Sequence, residues 1–434
     1  MHKSSALPYS GDRETIEGRD GMQLTVIGTG YVGLVTAIGL AENGHNVTCV
    51  DLNADRMAQL TRGIPPIKEE GIEEALIANQ QRMTFTTEYP VAKTYLVAVG
   101  TPEKADGSCD LSAVEAVVAH IERIAPSAAV VIKSTVPPGT TMQLAMQYPT
   151  LRFAMVPEFL REGTALADMR HPHRVVIGTN DEDLSNELAT LFATTAPLVA
   201  VDPTTAELTK YAANSFLAVK ISFINEIARL ADAVGADVSD VATGIGLDPR
   251  IGSSFLRAGA GYGGSCFPKD IAALTTLARQ HDQQLHVIEA ADKTNEAQLD
   301  YVLQKIQPRT GMRVALLGLA FKPGTDDLRD APALRLATRL EQFGVIVTGY
   351  DPVARTLLDQ KQTVEEALQD ADVAVIMTEW EELRLITPEQ FIRQMRQPRV
   401  VDGRNCWSFM DHPGGVQYES IGRPSKSFSN NRTI

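Results

Sequence analysis

Six residues near the start of the chain, Gly28-Thr29-Gly30-Tyr31-Val32-Gly33, restrict its fold more than any other feature. They stand between a short apolar run, Leu24 to Ile27, and an apolar helical stretch that reaches Glu42. Glycines at such a junction permit a tight turn and let the backbone approach a diphosphate at a helix N-terminus. After a break at Asn43-Gly44 a second apolar run, Asn46 to Val50, ends in Asp51, at the spacing expected of an acid that accepts both hydroxyls of a ribose. Alone the glycine pattern is weak. Joined to Asp51 it predicts a dinucleotide-binding βαβ unit, with Gly28, Gly30, Tyr31, Val32, Gly33 and Asp51 at the cofactor; the competing role for Asp51 is a helix cap. A carboxylate there repels a 2'-phosphate, which favours NAD over NADP, although Arg56, one turn further on, weakens that preference.

Further runs at Tyr95 to Val99, Val130 to Lys133, Phe153 to Val156 and Val175 to Gly178 alternate with helical sequence. They predict a parallel sheet covered by helices on both faces. Gly100-Thr101-Pro102 and Lys133 to Thr140 follow strand ends, where such sheets place ligands, and Thr135 is expected near the nicotinamide. From Thr204 to Val234 apolar residues recur at helical spacing without a proline, which predicts one long helix, and more helix follows at Ala272 to Arg279 and Ala291 to Lys305. A second strand-helix-strand series begins at Arg313 to Leu319. The expected division is 1–21, a flexible segment in which Ile16-Glu17-Gly18-Arg19 resembles an engineered protease site; 22–203, a Rossmann domain; 204–305, helical; 306–421, a second doubly wound domain; and 422–434, a disordered tail rich in Ser, Asn and Arg.

Bulk properties exclude several classes. With 434 residues, 44% hydrophobic and 22% charged, the composition is that of a globular protein of two or three domains, and no apolar run approaches the roughly 20 residues of a membrane span. A net charge of −14 works against nucleic-acid or anionic-membrane partners. Cys49, Cys109, Cys266 and Cys406 form no CxxC pair, so neither zinc nor a disulfide framework is expected and a reducing cytoplasm fits best. His171-Pro172-His173 reads as a loop, and no metal is assigned.

One cysteine stands apart. Gly263-Gly264-Ser265-Cys266-Phe267-Pro268-Lys269-Asp270 places a thiol where a glycine-rich stretch enters a helix, so that the helix dipole and Lys269 could favour the thiolate. A small buried residue is the alternative, and it is the role kept for the other three cysteines. On the long helix Glu207, Lys210 and Asn214 fall on one face, as a catalytic group or as a solvated stripe.

Together these segments resemble the nucleotide-sugar dehydrogenases of the UDP-glucose/GDP-mannose dehydrogenase family. Also matching are Pro157-Glu158-Phe159-Leu160-Arg161-Glu162-Gly163, Leu247-Asp248-Pro249-Arg250-Ile251-Gly252 and Phe321-Lys322-Pro323-Gly324-Thr325-Asp326-Asp327-Leu328-Arg329, so the resemblance covers about residues 22 to 420. It implies an NAD domain, a helical middle that forms a homodimer, and a domain that holds the nucleotide of the sugar. Cys266 would be the nucleophile, with Lys210, Asn214 and Asp270 around the reacting oxygen and Glu158 and Thr135 managing water and protons. Arg56, Thr101, Thr135, Glu162, Lys269 and Arg329 would join the cofactor site. Glu158, Phe159, Leu160, Arg161, Glu162, Lys210, Asn214, Phe255, Leu256, Arg257, Ala258, Gly259, Gly263 and Lys322 would hold the substrate, and Arg250 would reach a neighbouring subunit's sugar nucleotide.

The implied reaction is a four-electron oxidation of UDP-glucose to UDP-glucuronate through a thiohemiacetal and a thioester on Cys266, for polysaccharide precursors, with GDP-mannose the alternative substrate. Lys269-Asp270, a pair usually lacking in relatives that act on UDP-N-acetylhexosamines, points to UDP-glucose or GDP-mannose, and the Leu247 to Gly252 segment resembles the UDP-glucose type more. Whether Lys210 is base or cation, and whether Glu158 or Asp270 activates water, stays open. Two rival classes are a two-electron hydroxyacid dehydrogenase, against which Cys266 argues, and an NAD-sensing protein without turnover.

Overall fold

The computed structural model describes residues 21–192, 194–407 and 415–424. Residues 1–20 and 425–434, which make up nearly all of the expected N-terminal segment and tail, lie outside the described residues. By packing, the chain forms two compact units, one of 1–213 with 272–277 and one of 214–271 with 278–434.

The first unit is built on eight strands: β1 (Gln23–Ile27), β2 (Asn46–Val50), β3 (Met83–Thr86), β4 (Thr94–Val97), β5 (Ala129–Ile132), β6 (Arg152–Met155), β7 (Val175–Gly178) and β8 (Leu198–Val201). Their order is β3-β2-β1-β4-β5-β6-β7-β8, whose first six strands form the dinucleotide-binding arrangement. Every residue of β4 and β5 is buried, as in strands covered on both faces. Alternation along them divides the core: Leu96 and Val131 pack with Leu34, Val35 and Ile38 of α1 (Tyr31–Glu42), whereas Tyr95, Val97, Val130 and Ile132 pack with Val114, Val118 and Ile121.

The sheet is not wholly parallel, as the sequence had implied, because β7 pairs antiparallel with β6. Between them the only helix is Ala165–Arg170, six residues that join the α1 cluster through Ala165 and Leu166. Such a short helix does not carry the chain back along the sheet, so β7 starts from the end at which β6 stops. The edge strands β3 and β8, partly polar or exposed, lack the continuous apolar run by which the inner strands were legible.

The second unit carries six parallel strands, β9 (Arg313–Leu317), β10 (Ile346–Tyr350), β11 (Asp359–Gln360), β12 (Val373–Ile376), β13 (Arg399–Asp402) and β14 (Gln417–Ser420), in the order β11-β10-β9-β12-β13-β14. Its helices include α5 (His286–Ile306), α6 (Pro332–Gln342), the part from Asn214 onward of α3 (Pro203–Val234) and the parts of α4 (Phe267–Gln280) outside 272–277, while α2 (Thr140–Gln147) belongs to the first unit. One cluster runs from Ile224, Ala228 and Ala231 through Leu299, Val302 and Ile306 to Val314, Leu316, Val375 and Leu336. The helical middle and the second sheet therefore share a core, and a boundary at 305/306 marks a change of element rather than of packing. The described chain also runs past the expected end at 421: Val238 N donates to Gly422 O at 2.8 Å, and Gly422 N to the Asp232 carboxylate at 3.1 Å. Among the described residues no helix is long and apolar enough to cross a membrane.

Two glycines make the first turn possible. Gly28 has φ +92°, and a Cβ on Gly33 would lie 1.8 Å from the Gly28 carbonyl oxygen. Gly33→Ala must force α1 away from the turn, at about 1–3 kcal/mol. Calorimetry is expected to show an unfolding midpoint lower by several degrees.

Candidate active site

At the end of β1 the backbone turns through Gly28 and Thr29 into α1, with Gly30 as its N-cap. No protein atom lies within 4 Å of where a Gly30 Cβ would stand, so this glycine is not required by packing and leaves room at the helix N-terminus. Asp51 accepts hydrogen bonds from Thr29 N at 2.9 Å, Thr29 Oγ1 at 2.8 Å and Asn53 N at 3.0 Å, and Arg56 pairs with it at 3.0 Å. Burial pushes the carboxyl up, but these donors and the guanidinium outweigh it and hold it below its usual range. Arg56 is thus engaged by Asp51. The clear space at Gly30 and the ionised acid at the next strand end fit NAD, whose diphosphate and ribose they would hold.

Tyr31 orients a second segment, since Gly163 N donates to its hydroxyl at 2.7 Å and to Glu69 at 2.8 Å, which ties the loop bearing Glu162 to the start of α1. Thr101 is buried and donates to the Thr135 carbonyl at 2.8 Å, joining the loops after β4 and β5.

The polar residues of α3 are buried, which removes the solvated-stripe alternative: Glu207, Lys210 and Asn214 are 0%, 3% and 7% exposed. Their tasks differ. Glu207 accepts from Gly139 N at 2.5 Å and Thr141 N at 2.7 Å and so caps α2. Lys210 Nζ lies 2.7 Å from Glu158, which also accepts from Leu160 N at 2.7 Å. Burial opposes the charge on Glu158, but Lys210 overcomes it and holds the carboxyl below its usual range. Phe159 is covered by Arg174, 3.5 Å from its ring centre, and Arg161 pairs outward with Asp168.

In the second unit Cys266 is the N-cap of α4, with its sulfur 3.5 Å from Ser265 Oγ. One turn on, Asp270 is 1% exposed and accepts from Asn214 Nδ2 and Lys269 Nζ, each at 2.6 Å. Lys269, expected beside the thiol and the cofactor, thus has its ammonium on Asp270. Burial pushes the thiol of Cys49 up to about 12, which agrees with a packing role there.

The stretch before Cys266 is threaded where side chains do not fit. A Cβ on Gly259 would come 2.8 Å from Gly403 O and one on Gly263 2.0 Å from Asp330 O, while Gly264 N donates to Arg329 O at 3.0 Å. Leu256 and Ala258 are buried, Arg257 is exposed, and Phe255 has φ +64° with its ring 6.3 Å from that of Phe267. Lys322 stands over the Phe321 ring, Arg329 pairs with Asp327, and Arg250, 87% exposed, pairs with Asp248. Arg404, which sequence reasoning left outside the site although it lies near a strand end and has a plausible counterpart in the family, donates to Met377 O at 2.6 Å and Gly261 O at 3.0 Å. Among the described residues no group of three or more His, Cys, Asp and Glu is arranged to hold a metal ion.

This fold and cofactor turn define an NAD-dependent oxidoreductase. The chain matches the NAD binding domain of the UDP-glucose/GDP-mannose dehydrogenase family over residues 22–196, its central domain over 204–297 and its UDP binding domain over 315–409, and it belongs to that family. It is 42% identical to the UDP-glucose 6-dehydrogenase YwqF of Bacillus subtilis, over 93% of this chain and 98% of the relative. A UDP-glucose 6-dehydrogenase of Rhizobium meliloti is also 42% identical, over 93% of this chain and all of the relative. Among solved structures, a UDP-glucose dehydrogenase from the archaeon Pyrobaculum islandicum superposes with a TM-score of 0.87 at 35% identity, over 94% of this chain and 99% of that one.

Asp51→Ala removes the charged acceptor. Losing a hydrogen bond to a charged group costs about 1.5–3 kcal/mol, so titration calorimetry is expected to show NAD affinity lower by roughly tenfold to a hundredfold.

Proposed function

We propose that this chain oxidises UDP-glucose to UDP-glucuronate, removing four electrons from C6 through a covalent intermediate on Cys266, and that it does so in the cytoplasm to supply polysaccharide precursors. The observation that carries the reading is Cys266 at the N-cap of α4, one turn before an Asp270 held by Asn214. Relatives bearing the name UDP-glucose 6-dehydrogenase, 42% identical over most of the chain, support the substrate.

When bound, NAD accepts a hydride in each of the two oxidations. In the first, the C6 hydroxyl loses its proton to Lys210 or to a water held by Asp270, and an aldehyde results. The Cys266 thiolate adds to that carbon, giving a thiohemiacetal and preventing release of the aldehyde. The second oxidation converts this adduct to a thioester with loss of a further proton. Water activated by Glu158 or Asp270, with Thr135 as a further polar contact, then attacks the acyl carbon, and the thiol leaves as the carboxylate forms. A Lys210 ammonium and the Asn214 amide, four positions apart on α3, would each stabilise the oxyanion by about 2.7–4 kcal/mol. Glu162, Arg329, Lys269 and Thr101 are assigned to the cofactor, and Phe255 to Gly259, Gly263, Lys322 and Phe159 to Arg161 to the sugar nucleotide.

NADH counted by absorbance is expected to reach two per UDP-glucose consumed and to vanish in Cys266→Ser. One NADH per sugar, or full activity in that variant, refutes the covalent route; turnover of GDP-mannose alone keeps the chemistry and changes the substrate.

We also infer a homodimer. On α3 Leu208, Phe216, Phe223, Leu230 and Val234 are 46%, 65%, 47%, 58% and 67% exposed, an apolar stripe that a second copy would cover. Arg250 would then reach the neighbouring subunit's substrate. Light scattering is expected to give a dimer mass for the native chain and a monomer mass for Phe216→Asp with Phe223→Asp.

A further inference from the structure

A second lysine stands behind the Glu158–Lys210 pair. Lys133 follows β5 and is only 5% exposed. Its Nζ donates to the carbonyl of Val156 at 3.1 Å, two residues before Glu158, and lies 5.1 Å from the centre of the Phe192 ring. Among the described residues no carboxylate pairs with it directly. Glu158 attracts its charge and Lys210 repels it, so two buried ammonium groups share one carboxylate, and Lys210 holds that carboxylate at 2.7 Å. Desolvation, offset only in part by Glu158, brings the Lys133 amine down to about 8.

We propose that Lys133 is a positioning residue for the oxidation: its ammonium fixes the Val156 carbonyl, and so the strand end that presents Glu158, while its charge sets the protonation of the Glu158–Lys210 pair. This rests on the role proposed above for that pair. The groups facing Lys133 are Glu158 after β6, Lys210 on α3 and the uncharged ring of Phe192. A positive charge at Lys133 disfavours a second one at Lys210 and favours ionised Glu158. Its removal therefore raises the pH at which either partner gives up a proton, whichever limb of the rate profile that proton governs.

The test compares kcat against pH, with UDP-glucose and saturating NAD, for the native protein and Lys133→Met. Expected are a kcat lower by roughly tenfold to a hundredfold, a KM for UDP-glucose changed little, and a limb moved upward by about one pH unit. Lys133→Arg, which keeps charge and donor, is expected to return the limb to or below its native position. A Lys133→Met profile unmoved along the pH axis overturns the proposal, as does an Arg variant that folds, binds NAD and still behaves like the Met variant. Should Lys133→Met fail to fold, carbon-13 NMR of the native protein labelled at lysine Cε takes its place. One lysine is expected to titrate near pH 8, with its midpoint raised in Lys210→Met and lowered in Glu158→Gln; no such lysine, or one indifferent to both changes, overturns it. Absence of turnover in the native protein would count against the functional reading alone, because the lysine titration needs no substrate.

Discussion

Asp270 imposes the tightest constraint. A carboxyl group 1% exposed must find its hydrogen bonds inside the protein, and it finds them in Asn214 and Lys269 at 2.6 Å each. These bonds fix α4 against α3, and because Asp270 is one turn from the N-cap they also fix the helix end from which Cys266 projects. Glu158 and Lys210 obey the same requirement in the first unit, where each supplies the other's missing solvent. Either pair, broken on one side, would leave a buried polar or charged group uncompensated, which costs far more than the intact pair contributes. Groups of this kind are poor devices for stability alone, and in each unit they accompany a residue to which a chemical role is proposed, Lys210 in the first and Cys266 in the second.

The same turn occurs twice, with different outcomes. After β1, Gly28 adopts φ +92° and donates to Val50 O; after β9, Gly318 adopts φ +86° and donates to Tyr350 O, both bonds being 2.8 Å. Each following strand ends in an aspartate that accepts from the turn, Asp51 from Thr29 N and Asp351 from Leu319 N. Asp351 also accepts from Ala320 N, Val353 N, Ala354 N and Trp380 Nε1 and is 1% exposed, so its lone pairs are consumed internally. Asp51 keeps a side chain 14% exposed beside a turn that enters a helix at once. In the second unit residues 318–331 instead form a loop before α6, without a second GxGxxG. A single architecture thus yields one turn suited to a dinucleotide and one whose acid is consumed by the protein's own donors.

What could be read from the sequence was what is local in it. The spacing from Gly28 to Asp51 is set by one βαβ unit, and Lys210 with Asn214 share a helix face by periodicity, so both were legible. Cys266 was legible because glycines precede it and a helix follows. Glu207 was placed on the correct face, yet its partner Gly139 is 68 residues away and no periodicity announces a cap made at that distance. Arg404, left outside the site by sequence, reaches Gly261 across 143 residues, a contact that its place near a strand end does not announce. The antiparallel β7 was missed because apolar runs reveal that a strand exists and not which end the chain enters.

The glycines before Cys266 show how the two scales meet. Gly263 and Gly264 would each place a Cβ within 3 Å of the 318–330 segment, so substitution there must displace backbone or the Phe321 ring. Arg404, donating to Gly261 O and Met377 O, closes the same passage from the other side. A chain so confined cannot relax when α4 begins, and the thiol at its N-cap is held by a path reaching back into the second sheet. Rigidity at that point suits the role proposed for Cys266: a nucleophile that first adds to one carbon and later leaves the same carbon benefits from a fixed position through both steps. On this view the glycine run serves to hold the cysteine still rather than to lend it flexibility.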